Sequence, residues 1–254
     1  MMLGFSRGPL ADDVPLSLSR FGIPSADHAE ALDVRTISGA DDAAWLDGWR
    51  RDSLRVIAAS DLGDGLAALD AADHVHIIQA TPATPADLGY LQAAWGMARH
   101  LAARGASVVM DVHAHTFRAA GALPPPDAPM DPMYEIRLVY ETDSTRPDQA
   151  HALHTRGLRK FGAPDIVALC GDADARLVSD VVNQIAAMLA RGGELALPRH
   201  VIDLDAGSHW LAVDDEHGLA DLLQLNNRAR VLVDERGDHL LGVLGRLRAR
   251  HDAS

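Results

Sequence analysis

The sequence predicts an α+β protein, a mixed β-sheet with helices on one face. Three observations carry that expectation. Two long stretches repeat apolar residues at helical spacing, each lies between two apolar strand-like runs, and four further strand-like runs are scattered along the chain. The 254 residues suffice for one large core or two small ones, and 48% hydrophobic with 23% charged residues is an ordinary globular composition.

Taken in order, residues 1–24 contain Arg7 and Arg20 but no continuous apolar core, so a signal peptide is not expected. Residues 41–51 read as a helix with Trp45 and Trp49 one turn apart, a core anchor. Residues 54–58 read as a strand, and Gly63-Asp64-Gly65 as a turn or helix entry. Residues 75–80 form the next strand. The first long helix spans 85–104, with Thr84 as cap, Pro85 in the first position and Gly105 as terminator. Its Leu88, Leu91, Trp95, Ala98 and Leu101 face a core, and a strand over 106–112 follows.

Residues 121–132 include five prolines and can be neither helix nor central strand. They divide the chain into an α+β half over 1–120 and another over 133–254, or form a rigid loop within one domain. Strands follow at 134–141 and 165–170. The second long helix spans 173–191, capped by Asp172 or Asp174 and ended by Gly192-Gly193, with a stripe of Leu177, Val178, Val181, Val182, Ile185, Met188 and Leu189. Strands at 200–204, 210–214 and 230–234 complete the set, and residues 238–250 read as a docked C-terminal helix. The shared order of strand, capped helix, Gly and strand suggests two related β-α-β halves. All four tryptophans, Trp210 included, are expected to be mostly buried.

A formal charge of −13 argues against nucleic acid as a partner, because the net field repels phosphate. No apolar stretch reaches bilayer length, which excludes a spanning segment, and the expected compartment is the cytoplasm. The single cysteine, Cys170, follows an apolar run and reads as an inert core thiol; no intrachain disulfide is possible. Phosphate-binding glycine loops, G-x-S-x-G elbows and S-x-x-K pairs are missing from the sequence.

Two patterns carry candidate chemistry. Asp111, His113 and His115 alternate, so a strand would project them from one face as ligands of a divalent metal that acidifies water. The pattern resembles the opening D-x-H-x-H of the amidohydrolases, but that family needs a (β/α)₈ barrel of about 250 residues, and only 139 residues follow His115. His74 and His76 alternate similarly, and the two strands could be parallel neighbours. The plain alternative is polar residues at strand ends, with no cofactor.

The second pattern is His154, Arg156, Arg159 and Lys160, the last being the only lysine in the chain. A short helix would gather them to seat a small anionic ligand or a tail of the partner; the alternative is a solvated basic turn with Phe161 in the core. The stretch H-T-R-G-L-R-K-F-G-A-P-D, residues 154–165, resembles an uncharacterised bacterial family with the signature H-T-x-G-x-x-x-F-G-x-P-[DE]. The resemblance rests on His154, Thr155, Gly157, Phe161, Gly162, Pro164 and Asp165. It implies an α+β fold, assigns no catalytic residue, and places some members beside secretion or toxin–immunity genes.

The leading expectation is therefore a non-catalytic binding or interaction protein of immunity or regulatory type, with a basic protein or a small anion as partner and a homodimer as a further option. The alternative is a metal-dependent hydrolase centred on Asp111, His113 and His115.

Overall fold

A computed structural model describes residues 1–80, 88–141, 151–196, 199–204, 208–216 and 218–234. The chain divides into two compact units, Met1–Met130 and Asp131–Ser254. The α+β class holds in both. The helices predicted from Thr84-Pro85 onward and at 238–250 lie partly or wholly outside the described residues.

The first unit opens with β1, Met2–Ser6, every residue of which is buried. Two short helices follow, α1 (Leu18–Phe21) and α2 (Ala26–Glu30), then β2 (Leu32–Ser38). Three more come next: α3 (Ala43–Gly48), α4 (Asp52–Leu62) and α5 (Leu66–Asp70). The rest is β3 (His74–Ala80), α6 (Gly89–Ala103), β4 (Val108–Asp111) and β5 (Thr116–Ala119). The sheet order is β2-β3-β1-β4-β5, and every pairing is antiparallel. β1 therefore sits between β3 and β4, which are not neighbours.

Alternation along β1 sends Leu3 and Phe5 to one face, where Val75, Ile77, Val108 and Met110 meet Leu46, Ala58 and Leu69 of α3, α4 and α5. Met2 points the other way and packs with Ile78 and Val109 against Trp95, Ala98 and Leu101 of α6. Helices thus cover both faces, not one. The strand expected at 54–58 is α4 instead. Leu54, Ile57, Ala58 and Leu62 fall at helical spacing onto the core, and that burial outweighs the β-branched local preference.

Helix α6 is buried almost all round because a second layer covers it. Phe21 and Ile23 pack over it, and a Cβ at Gly96 would lie 2.4 Å from Ile23 Cγ1. Residues of the Pro-rich stretch lie on it too: Arg99 donates to Pro124 O at 2.9 Å and to Phe21 O, and Leu123 and Met130 join its core. Trp95 is buried, whereas Trp45 and Trp49 are half-buried and meet edge to face at 5.5 Å. The side chain of Trp210 is outside the described residues.

The second unit contains β6 (Arg137–Glu141), β7 (His151–Arg156), β8 (Asp165–Cys170), α7 (Ala175–Ala190), β9 (Arg199–Leu204), β10 (Ser208–Asp214), α8 (Leu219–Leu222) and β11 (Ala229–Asp234). Its order is β6-β7-β8-β11-β10-β9, antiparallel except for β8 beside β11. Val178, Val181, Val182, Ile185 and Leu189 of α7 pack on Leu153, Ile166 and Ala168. Leu219 and Leu223 cover Val167 and Leu169 on the opposite face. Leu177 and Met188, predicted to join the α7 stripe, are exposed. Neither Asp172 nor Asp174 caps α7 with its side chain; a 3₁₀ turn over Asp172–Asp174 leads into the helix. Of the expected β-α-β repeat, β3-α6-β4 and β8-α7-β9 exist, but each pair of strands is separated by others.

Candidate functional site

The Asp-x-His-x-His pattern is not carried by one strand. β4 stops at Asp111, and residues 112–115 form the turn into β5, with His115 at φ 52°. The Asp111 carboxylate turns back to accept the backbone N–H groups of His113 (2.9 Å) and Ala114 (3.2 Å). Such an Asx turn uses the side chain to build the hairpin. The alternation that would align Asp111, His113 and His115 on one face is lost.

His74 and His76 do share a face of β3, their rings stacked at 6.5 Å. His74 Nδ1 lies 2.7 Å from Asp73 Oδ1. His76 is buried between hydroxyls of both flanking strands, its Nε2 2.8 Å from Ser6 Oγ and its Nδ1 2.9 Å from Thr36 Oγ1. Ser6 Oγ donates its own proton to Gly8 O, so it must accept from His76 Nε2–H, and Thr36 then donates to Nδ1. Neutral His76 satisfies every partner. Burial, with the nearby His74 and Arg104 charges, pushes its pKa down to about 4. With β1 interposed, the two His-x-His segments do not converge. Among the described residues, no group of three or more His, Cys, Asp or Glu could hold a metal ion.

The basic signature segment also departs from the expected helical turn. His154, Thr155 and Arg156 lie in β7, Gly157 turns the chain at φ 113°, and Arg159 and Lys160 belong to a 3₁₀ turn, Leu158–Phe161. The three cations diverge. Arg156 donates to Leu223 O (2.9 Å) and Gln224 O (3.2 Å), satisfying carbonyls at the end of α8. Lys160 Nζ pairs with Glu135 Oε2 at 2.7 Å, both side chains nearly inaccessible. Arg159 donates to Asn226 O.

What the signature builds is a clasp around Asp165. This carboxylate is fully buried and accepts Thr155 Oγ1–H (2.9 Å), the Leu158 N–H (3.3 Å) and Asn227 Nδ2–H (2.9 Å). Thr155 Oγ1 in turn accepts from Ile166 N, and Asn227 also donates to Ala163 O. Burial nonetheless pushes the Asp165 pKa up, opposed by the Asn227 and Thr155 bonds. Gly157 is required twice over, since a Cβ there would lie 2.3 Å from Glu135 O. Gly162 ends the turn at φ 72°.

Two histidine–carboxylate pairs lie on opposite faces of β7. His154 is fully buried with Nε2 3.3 Å from Glu141 Oε1. His151 bonds Asp172 through Nε2, carries Tyr140 stacked at 4.7 Å, and stands opposite Cys170 across the strand pair. This would be a usable acid–base arrangement if the thiol were ionised. It is not: burial, with Asp174 and Asp172 nearby, pushes Cys170 up to about 11, and among the described residues Nδ1 of His151 has no hydrogen-bond partner. Sequence spacing gave no sign of His151–Asp172, nor of Glu135 and Asn227, because strand pairing joins residues 21 or more apart. No family model, curated protein or solved structure matches this chain.

Proposed function

We propose that the chain is a non-catalytic interaction protein whose acidic exterior receives a basic partner protein. One observation carries this reading: although Arg7, Arg20, Arg35 and Arg51 are exposed, several other cations are turned inward onto backbone oxygen. Arg50 donates to the carbonyls of Leu69, Asp70 and Ala72, Arg99 to Phe21 and Pro124, Arg104 to Ala11, and Arg230 to Ala196 and Ala212. Arg156 donates likewise to Leu223 O and Gln224 O, and Lys160 pairs with the buried Glu135 carboxylate. Asp165 and Glu135 are buried, but many carboxylates remain outside, in exposed pairs such as Asp12 and Asp13, Asp41 and Asp42, and Asp172 and Asp174. A net −13 concentrated in this way steers a basic protein and repels an acidic one.

The resemblance to a family with members beside toxin–immunity genes supports the immunity or regulatory sense of this reading, with a cytoplasmic setting. The basic turn has no part in the contact, because its cations are engaged within the fold.

Native mass spectrometry of the untagged chain from its own source tests the proposal. A second, basic polypeptide is expected at low salt and is lost near 1 M salt, where the screening length falls to about 3 Å. A chain that travels alone, or holds an acidic partner irrespective of salt, overturns it. A bound divalent metal would instead favour the hydrolase alternative.

A further inference from the structure

Among the described residues, strand β2 is an edge of the first sheet, paired only with β3. Its central residues, Asp33, Val34, Arg35 and Thr36, are all exposed, Val34 at 40%. Proteins usually guard such edges with short strands, proline, bulges, charged side chains or a covering element. β2 has seven residues and no proline, and its register with β3 is continuous from Leu32 to Ser38. The opposite edge, β5, has only four residues.

The charges on β2 do not repel a copy of themselves. Asp33 and Arg35 point to the same face two residues apart, with Val34 between them on the other face. Their own ion pair is loose, 4.0 Å between Arg35 Nε and Asp33 Oδ2, with side chains 60% and 66% exposed. Antiparallel pairing of two copies about a two-fold axis at Val34 sets Asp33 opposite Arg35 of the partner subunit, and the reverse. It also sets Val34 against its equivalent, and Leu32 against Thr36 of the partner subunit. The two Asp–Arg pairs are of a kind that stabilises neighbouring strands, the Val34 pair removes exposed apolar surface from water, and the contact is isologous, so it closes as a dimer.

We propose that β2 pairs antiparallel with β2 of a second copy, centred on Val34, joining the two five-stranded sheets into one. The contact is small, so the dimer forms at micromolar concentration. It is independent of the acidic-surface reading, since it uses a locally neutral strand.

Sedimentation velocity of the full chain across a concentration series tests it, with Asp33→Arg, Arg35→Asp and the double variant. Each single change places like charges opposite one another twice and weakens the dimer by about tenfold or more. The double change restores Asp–Arg pairing and returns the dissociation constant to within about threefold of the parent. It also leaves net charge unaltered, so binding of a basic partner is unaffected whichever way the dimer behaves. Circular dichroism checks that each variant is folded. A parent that stays monomeric up to about 100 μM, a dimer indifferent to the single changes, or a folded double variant that does not regain pairing would each overturn the proposal.

Discussion

Acidification should destabilise the first unit through one side chain. His76 holds a pKa of about 4 against an ordinary 6.5 because burial between Ser6 and Thr36 beneath α6 disfavours the charged imidazolium, as do the nearby His74 and Arg104. The folded state therefore binds the proton later than the unfolded chain does. Stability from this group is complete above pH 6.5 and falls as pH drops from 6.5 towards 4. Below about pH 4 the loss levels off. The full difference corresponds to about 3 kcal/mol, of which about 2 kcal/mol is lost between pH 7 and pH 5. Asp73, His74 and Arg104 titrate or carry charge around the same strand, so the contribution is isolated by comparison with His76→Gln, which keeps a polar group that cannot be protonated. Urea unfolding at pH 7 and pH 5, followed by tryptophan fluorescence, gives the two slopes. His76→Gln should be the less stable at pH 7, yet lose about 2 kcal/mol less than the parent on acidification. Equal losses, or an imidazole titrating near 6.5 by NMR in the folded chain, would refute this account of the pocket.

Other expectations follow from single contacts. Glu135→Gln removes the buried carboxylate charge opposite the Lys160 ammonium and should cost about 3–5 kcal/mol, whereas Glu135→Leu with Lys160→Met recovers most of that loss in denaturant titrations. Gly157→Ala should destabilise more than Gly105→Ala: both glycines have positive φ, but an added Cβ at 157 meets Glu135 O and one at 105 meets open space. Thermal midpoints of the two variants give the order directly, and equal midpoints would remove the clash from the explanation. Cys170 should resist iodoacetamide at pH 8 in the folded protein and react promptly in urea, because its thiol is buried and pushed up to about 11. Prompt native labelling would reopen the His151–Asp172 pair as an acid–base site.

The composition and the two helical periods were enough to predict α+β, and the apolar runs placed β3, β4, β8, β10 and β11 to within a few residues. Local pattern suffices there because burial on one face repeats at a fixed interval. It failed at residues 54–58, where an apolar β-branched run became α4 once a sheet lay beneath it. It also gave no sign of β1, a five-residue strand whose central place depends wholly on partners 68 or more residues away.

The site residues divide along the same line. Residue type and near neighbours were enough to mark His154–Asp165 as unusual and Cys170 as a core thiol. Only the tertiary structure decided what the unusual residues do. Arg156 meets carbonyls 67 and 68 positions on, Lys160 meets Glu135, and Asp165 gathers Thr155, Leu158 and Asn227. A charge in the sequence is equally compatible with a ligand seat or an internal partner. Which it becomes is fixed by the groups that folding brings within about 3 Å, and strand pairing supplied those groups from distant parts of the chain.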